Sequence, residues 1–198
     1  MGRVFSPFVI GRSFRILPQG HPAIEDERIN LWMAPGAFGS GEHETTASCL
    51  EILEDLEGVN GATILDLGSG TGILAIAALK LGARSAVCID IDPAAVATCR
   101  LNSQLNGVDA DIDHVCGTLS NLPEAAYDLV LANIYGDILV NVAEDLSQRA
   151  CADAPLLLSG ILYEYNFDVR QRYQQHGCHV VKNLMLDEFS TVLLQKGS

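Results

Sequence analysis

The chain reads as an α/β domain of the doubly wound, Rossmann-like kind, with a mostly parallel sheet. Three observations predict it. From residue 62 onward, strand-like apolar runs alternate with helical periods. The first run passes into three alternate glycines, Leu65-Asp66-Leu67-Gly68-Ser69-Gly70-Thr71-Gly72, and a helical pattern starts directly after them. The next run, Ala86-Val87-Cys88-Ile89, closes on a second acid, Asp90.

Residues 1–42 read as an N-terminal extension. Phe8 to Leu17 has the pattern of a small β-hairpin turning at Gly11-Arg12-Ser13. Pro18 to Arg28 is polar and contains prolines, so it reads as a loop. Leu31-Trp32-Met33 is a short apolar piece, and Ala34 to Gly41 is too rich in glycine to be regular. Residues 43–198 read as the ligand-binding domain, packed with the extension into one compact unit.

A helix is expected from His43, because Thr46, Cys49, Leu50, Leu53 and Leu56 share a face. Strands follow at about 62–67, 85–90, 111–116 and 127–132, and helices at about 72–81, 93–106 and 136–150. Pro93 suits a first helical turn. Leu156 to Ser159 reads as a strand and 164–175 as a helix. The runs 178–186 and 190–196 lie too close together for a crossover helix, so they should form an antiparallel hairpin. Right-handed crossovers put ligands at the carboxyl ends of the strands. Asp66, Asp90 and Asn133 fall at such ends.

The glycine turn points to a nucleoside-containing ligand. Glycine lets a ligand approach bare backbone, and the following helix presents free N–H groups. An acid about 20 residues on suits the hydroxyls of a ribose. Nicotinamide folds use G-x-G-x-x-G, whereas this turn is D-x-G-x-G-x-G. Asp66 inside the turn would repel a pyrophosphate and attract an ammonium. S-adenosylmethionine carries an ammonium, a ribose and no phosphate. Asp66, Gly68, Gly70, Gly72 and Asp90 are therefore the expected cofactor-binding residues.

Composition narrows the rest. With 25 acids and 12 bases the net charge is −13, which disfavours a nucleic-acid partner and favours a basic protein acceptor. No apolar run is long enough to span a membrane, and the first residues lack a signal-peptide pattern, so a cytoplasmic protein is expected. The six cysteines include no C-x-x-C pair, which fits reduced thiols. His176-Gly177-Cys178-His179 has metal-ligand residue types but no usual zinc spacing, so no metal is expected. No motif specifies an oligomeric state.

Asn133, opening Asn133-Ile134-Tyr135-Gly136, can accept hydrogen bonds from an amine and orient it for methyl transfer; its bland role is to cap the next helix. Thr45 and Thr46 can hold the amino-acid end of the cofactor or simply open a helix. Tyr135 can offer a cation–π contact or pack on the next helix.

Phe38-Gly39-Ser40-Gly41-Glu42-His43-Glu44-Thr45-Thr46 resembles the F-G-[ST]-G-x-H-x-T-T signature of the PrmA family, class I methyltransferases of a large-subunit ribosomal protein (L-eleven). Leu79-Lys80-Leu81-Gly82-Ala83, Ile89-Asp90-Ile91-Asp92-Pro93, Ala132-Asn133-Ile134 and Leu158-Ser159-Gly160-Ile161-Leu162 are similar to that family too. The resemblance implies that Thr46, Gly68, Asp90 and Asn133 contact S-adenosylmethionine, and that Asn133 borders the amine site. It covers the catalytic domain only: the family's N-terminal substrate-recognition domain is not in this sequence, and Tyr135 stands where the family usually has Leu. Single-domain relatives, such as the lysine methyltransferase of the electron-transfer flavoprotein β-subunit, share this layout.

The reading is an S-adenosylmethionine-dependent methyltransferase acting on a lysine or terminal amine of a protein, with little activity expected on the ribosomal protein. The acceptor would be selected by the N-terminal hairpin and the loop around 18–42. Its rivals are a small-molecule methyltransferase, a nicotinamide-dependent oxidoreductase and a non-catalytic scaffold.

Overall fold

The computed structural model describes residues 5–34 and 43–198. The expected glycine-rich stretch 35–42, with Phe38 to Glu42 of the family-like signature, lies outside the described residues.

The N-terminal hairpin is present as β1 (Phe8–Ile10) and β2 (Phe14–Pro18). A third strand, β3 (Ile29–Met33), joins them by pairing parallel with β2. The sequence reading had only a short apolar piece there. The period of two was available: Leu31 and Met33 are buried, while Trp32 turns its indole N–H to the His21 carbonyl at 2.9 Å.

The main sheet contains β4 (Thr63–Leu67), β5 (Ser85–Asp90), β6 (Ile112–Cys116), β7 (Leu129–Asn133), β8 (Pro155–Leu162), β9 (Cys178–Met185) and β10 (Phe189–Lys196). Their order is β6-β5-β4-β7-β8-β10-β9. The first five are parallel, and β10 runs antiparallel to both β8 and β9, giving the expected C-terminal hairpin. The chain winds outward from β4 to β6, then returns to lay β7 against the other side of β4. That reversal opens a crevice at the carboxyl ends of β4, β5 and β7.

Successive strand residues serve two cores. Ile64, Cys88, Leu129 and Leu131 pack with α1 (Glu44–Asp55), α2 (Ile73–Lys80), α3 (Pro93–Leu105) and the N-terminal sheet. Leu65, Ile89, Val130 and Ala132 pack on the other face with α4 (Gly136–Asn141), α5 (Ala143–Gln148) and α6 (Asn166–Gln175). Burial on both faces is why these strands read as unbroken apolar runs.

The single helix expected over 136–150 is two helices. The interruption is one residue, Val142, preceded by Asn141, and both are weak helix formers. Hydrogen bonds run across it, from Val142 N to Ile138 O and from Leu146 N to Val142 O.

Two asparagines one turn apart, Asn102 on α3 and Asn106 at its C-cap, fasten the N-terminal sheet. Asn106 accepts from Trp32 N at 3.0 Å and donates to Trp32 O at 2.7 Å. Asn102, fully buried, accepts from Ala34 N at 2.8 Å and donates to the Thr71 carbonyl of the glycine turn at 2.9 Å. Asn102→Ala should therefore lower stability by about 2–3 kcal/mol, since it strands polar groups in the interior. Urea unfolding checks this: the midpoint falls and the slope stays constant.

Candidate functional site

The strand–turn–helix unit β4–α2 is built around its glycines. Gly68, Gly70 and Gly72 have φ values of 67°, 52° and 77°, a region that L side chains rarely enter. Their uses differ. A Cβ on Gly68 would collide with the Ile134 side chain, and one on Gly72 would collide with Cys99 Sγ. Gly72 caps α2 and does not border the cavity described below. At 68 and 72, then, the missing Cβ also permits close packing within the protein, a use that the ligand-approach argument did not anticipate.

Asp66 lies beneath this turn, 2% exposed. Among the described residues its Oδ2 has no hydrogen-bond partner. Burial pushes its carboxyl up to about 7; the Ala75 backbone N–H pulls it partly back, and the Asp90 charge adds to the rise. Asp90 ends β5 and is half-buried. Its Oδ2 accepts from Gly70 N at 2.9 Å and its Oδ1 from Asp92 N at 3.0 Å. Each oxygen retains a further lone pair for a ligand.

Asn133, the last residue of β7, does not cap α4. That position belongs to Tyr135, which makes no side-chain cap. Instead Asn133 Nδ2 donates to Thr46 Oγ1 at 3.3 Å, which leaves Oδ1 as the free acceptor face of the amide. Neither threonine caps α1. His43 does so, with Nδ1 accepting from Thr45 N at 3.4 Å, and its ring packs edge-on against Phe189 at 5.1 Å. A buried hydroxyl chain, Ser48–Thr191–Ser159, braces this wall through contacts of 2.5 and 2.6 Å.

These groups open on one cavity of about 760 Å³. Asp66, Gly68, Gly70, Asp90, Thr46 and Asn133 all line it. The sequence reading missed the far wall, Thr118 to Ser120 after β6, and Ile91 beyond Asp90. The strand order signals this wall: β6 neighbours β5, so its following loop must lie beside Asp90, and Gly117 N bonds the Asp90 carbonyl at 2.9 Å. No residue of the described N-terminal segment 5–34 lines the cavity. Tyr135 lines it and is 63% exposed, so it does not pack away against the following helix. His176 and Gly177 turn the chain from α6 into β9, which opens with Cys178, buried, and His179. Among the described residues no group of three or more His, Cys, Asp or Glu side chains is arranged to hold a metal. None of the described helices is long and apolar enough to cross a membrane.

The family model described as ribosomal protein L11 methyltransferase (PrmA) matches residues 2–197. The chain belongs to the PrmA family. A ribosomal protein L11 methyltransferase of Pseudomonas paraeruginosa is 43% identical to it over 173 residues, covering 87% of this chain and 58% of that protein. One from Geobacter metallireducens is 42% identical, covering 98% and 64%. The chain thus spans about three-fifths of the length of these PrmA-family relatives. The crystal structure of a ribosomal protein L11 methylase from Lactobacillus delbrueckii subsp. bulgaricus superposes with a TM-score of 0.88 at 26% identity, covering 98% of this chain and all of that one. That likeness places the sheet, the hairpin and the crevice in the class I methyltransferase fold.

The raised Asp66 pKa has a defined effect on stability. The folded state keeps the proton up to about 7, whereas an unfolded aspartate loses it near 3.8. Protonated Asp66 costs little in the core, so the contribution is most favourable below 3.8. It is lost as pH rises toward about 7 and stays lost above. Asp66→Asn removes the titration. Its stability relative to the parent should rise between pH 3.8 and about 7 and then level off, as read by urea midpoints across that range.

Proposed function

We propose that this chain is an S-adenosylmethionine-dependent methyltransferase that N-methylates a lysine or terminal amine of a protein. The observation that carries the reading is the buried, unpartnered Oδ2 of Asp66 under the glycine turn. A carboxylate oxygen kept from water and from protein donors calls for a donor, and a ligand ammonium fits. Asp90, at the next strand end, has lone pairs left for two ribose hydroxyls. Gly68 and Gly70 expose backbone between them, Gly72 starts the helix, and Thr46 and Asn133 form the opposite wall. The cavity volume falls within the usual range of about 300–1,000 Å³ for small-molecule sites. None of the described lining residues is Lys or Arg. A dinucleotide's pyrophosphate would lack a counter-charge there and would meet Asp66, which argues against an oxidoreductase.

When bound, S-adenosylmethionine supplies a methyl group activated by its sulfonium, so alignment and a neutral amine are what the chain must add. Asn133, held by Thr46, is suited to accept an N–H of the incoming amine and fix its lone pair. Ile134, Ile138 and Leu119 make part of the cavity apolar, and an ammonium loses its proton more readily in such surroundings. The proton passes to solvent at the mouth. The names of the relatives support a protein acceptor and make ribosomal protein L11 the first to test, where the sequence alone leads to an expectation of little activity on it; the cytoplasm is the implied compartment. The size of the cavity also suits the alternative reading, a small amine as acceptor.

Calorimetry should detect S-adenosylhomocysteine binding and no binding of NAD or NADP. Asp90→Ala should weaken the binding by about 1.5–3 kcal/mol, the range for hydrogen bonds to a charged group. Unchanged affinity would remove Asp90 as the ribose anchor. Asn133→Ala should lower kcat well beyond its effect on cofactor affinity. Equal losses in both would make Asn133 a cofactor ligand alone.

A further inference from the structure

The cavity mouth is asymmetric. The N-terminal sheet lies behind it, on the side of α1, α2 and α3. The opposite rim consists of three segments that follow strand ends: 134–148 after β7, 160–169 after the middle of β8, and 186–192 at the β9–β10 turn. They are physically joined. A Cβ on Gly136 would lie 2.6 Å from Tyr165 Cβ, and Tyr163 N donates to Glu188 O at 3.0 Å, next to Phe189 in the cavity wall.

This rim exposes large apolar groups. Tyr163 is 71% exposed, Tyr135 63% and Phe167 60%, and Ile138 is exposed beside them on α4. An exposed apolar patch continuous with a ligand cavity marks an interaction surface. Its charge is predominantly negative. The three segments carry seven exposed acids, Asp137, Glu144, Asp145, Glu164, Asp168, Asp187 and Glu188, against two flanking bases, Arg149 and Arg170, whose guanidinium groups are turned to the Leu119 carbonyl and to Asn166 Oδ1. Aromatic anchors ringed by acids complement a segment that combines basic and apolar residues.

We propose that this rim, centred on Tyr135 and Tyr163 with Phe167 on the next turn, is the docking surface for the acceptor protein. It takes a lysine-rich segment with interspersed apolar side chains and delivers one lysine past Ile138 to Asn133. The inference rests on the methyltransferase reading above. It moves acceptor selection away from the N-terminal hairpin, which stands clear of the cavity.

The test uses two variants of the full chain, the aromatic pair Tyr163→Ser/Phe167→Ser and the charge pair Glu164→Lys/Asp168→Lys. All four side chains are exposed, so the fold is retained, and circular dichroism checks it. The probes are recombinant ribosomal protein L11 and a synthetic peptide of alternating lysine and leucine, each with labelled S-adenosylmethionine. In each variant KM for the acceptor should rise roughly tenfold or more, the scale of losing interface anchors. S-adenosylhomocysteine affinity by calorimetry and kcat at saturating acceptor should hold. KM of the parent should rise with salt, and the charge variant should lose much of that dependence. Unchanged KM in both variants would overturn the docking surface and leave the methyltransferase reading standing. A parent that binds S-adenosylhomocysteine but methylates neither probe would overturn it too. A parent that fails to bind S-adenosylhomocysteine would instead sink the function itself, and the docking surface with it.

Discussion

The turn from β4 into α2 constrains everything around it. Three backbone positions there take left-handed φ values, and glycine is the residue that enters that region without strain. The turn must also stay thin. Ile134 from the β7 loop presses on Gly68, and Cys99 from α3 presses on Gly72. Gly70 N is tied to Asp90, so the ends of β4 and β5 are locked in register. The switch in strand order then brings β7 alongside, and with it Asn133. A side chain at Gly68 would displace Ile134 and the wall that carries Asn133, so the two halves of the cavity are mechanically one.

The electrostatic arrangement follows from that geometry. Asp66 is buried by the turn above it and by the core below, and one of its oxygens finds no donor. An isolated buried carboxylate is costly, which is why burial raises its pKa. The Ala75 N–H near the start of α2 offsets part of that cost. An underserved acid beside open backbone is the feature on which the proposed cationic ligand rests. The rim shows a related imbalance, with seven exposed acids outnumbering the flanking Arg149 and Arg170 and with aromatic rings in solvent.

Most of this architecture was legible in the sequence because its signals are local. Asp66, the glycines and Asp90 sit at fixed offsets from apolar runs, and each run is long enough to identify as a buried strand. Asn133 was legible as a polar residue ending such a run. The less legible parts depend on tertiary contacts. β3 is only five residues long and Asn30 interrupts its apolar run, while its Trp32 backbone is held by Asn106 at the end of a helix distant in sequence. The bond from Asn133 to Thr46 needs the end of β7 beside the start of α1. The break at Val142 leaves the buried face of Leu139, Ala143 and Leu146 continuous, so the apolar period gives no sign of it. The wall at Thr118 to Ser120 carries no motif and is visible only through strand order.

The proposed function requires one cationic, ribose-bearing ligand to span Asp66 and Asp90 across the glycine turn. A crystal structure of the protein with S-adenosylhomocysteine is the decisive test. The ligand's amino group should be hydrogen-bonded at Asp66, its ribose hydroxyls on the Asp90 carboxylate, and its sulfur facing Asn133. A ligand bound elsewhere in the cavity, with both acids left to their protein contacts, would contradict it.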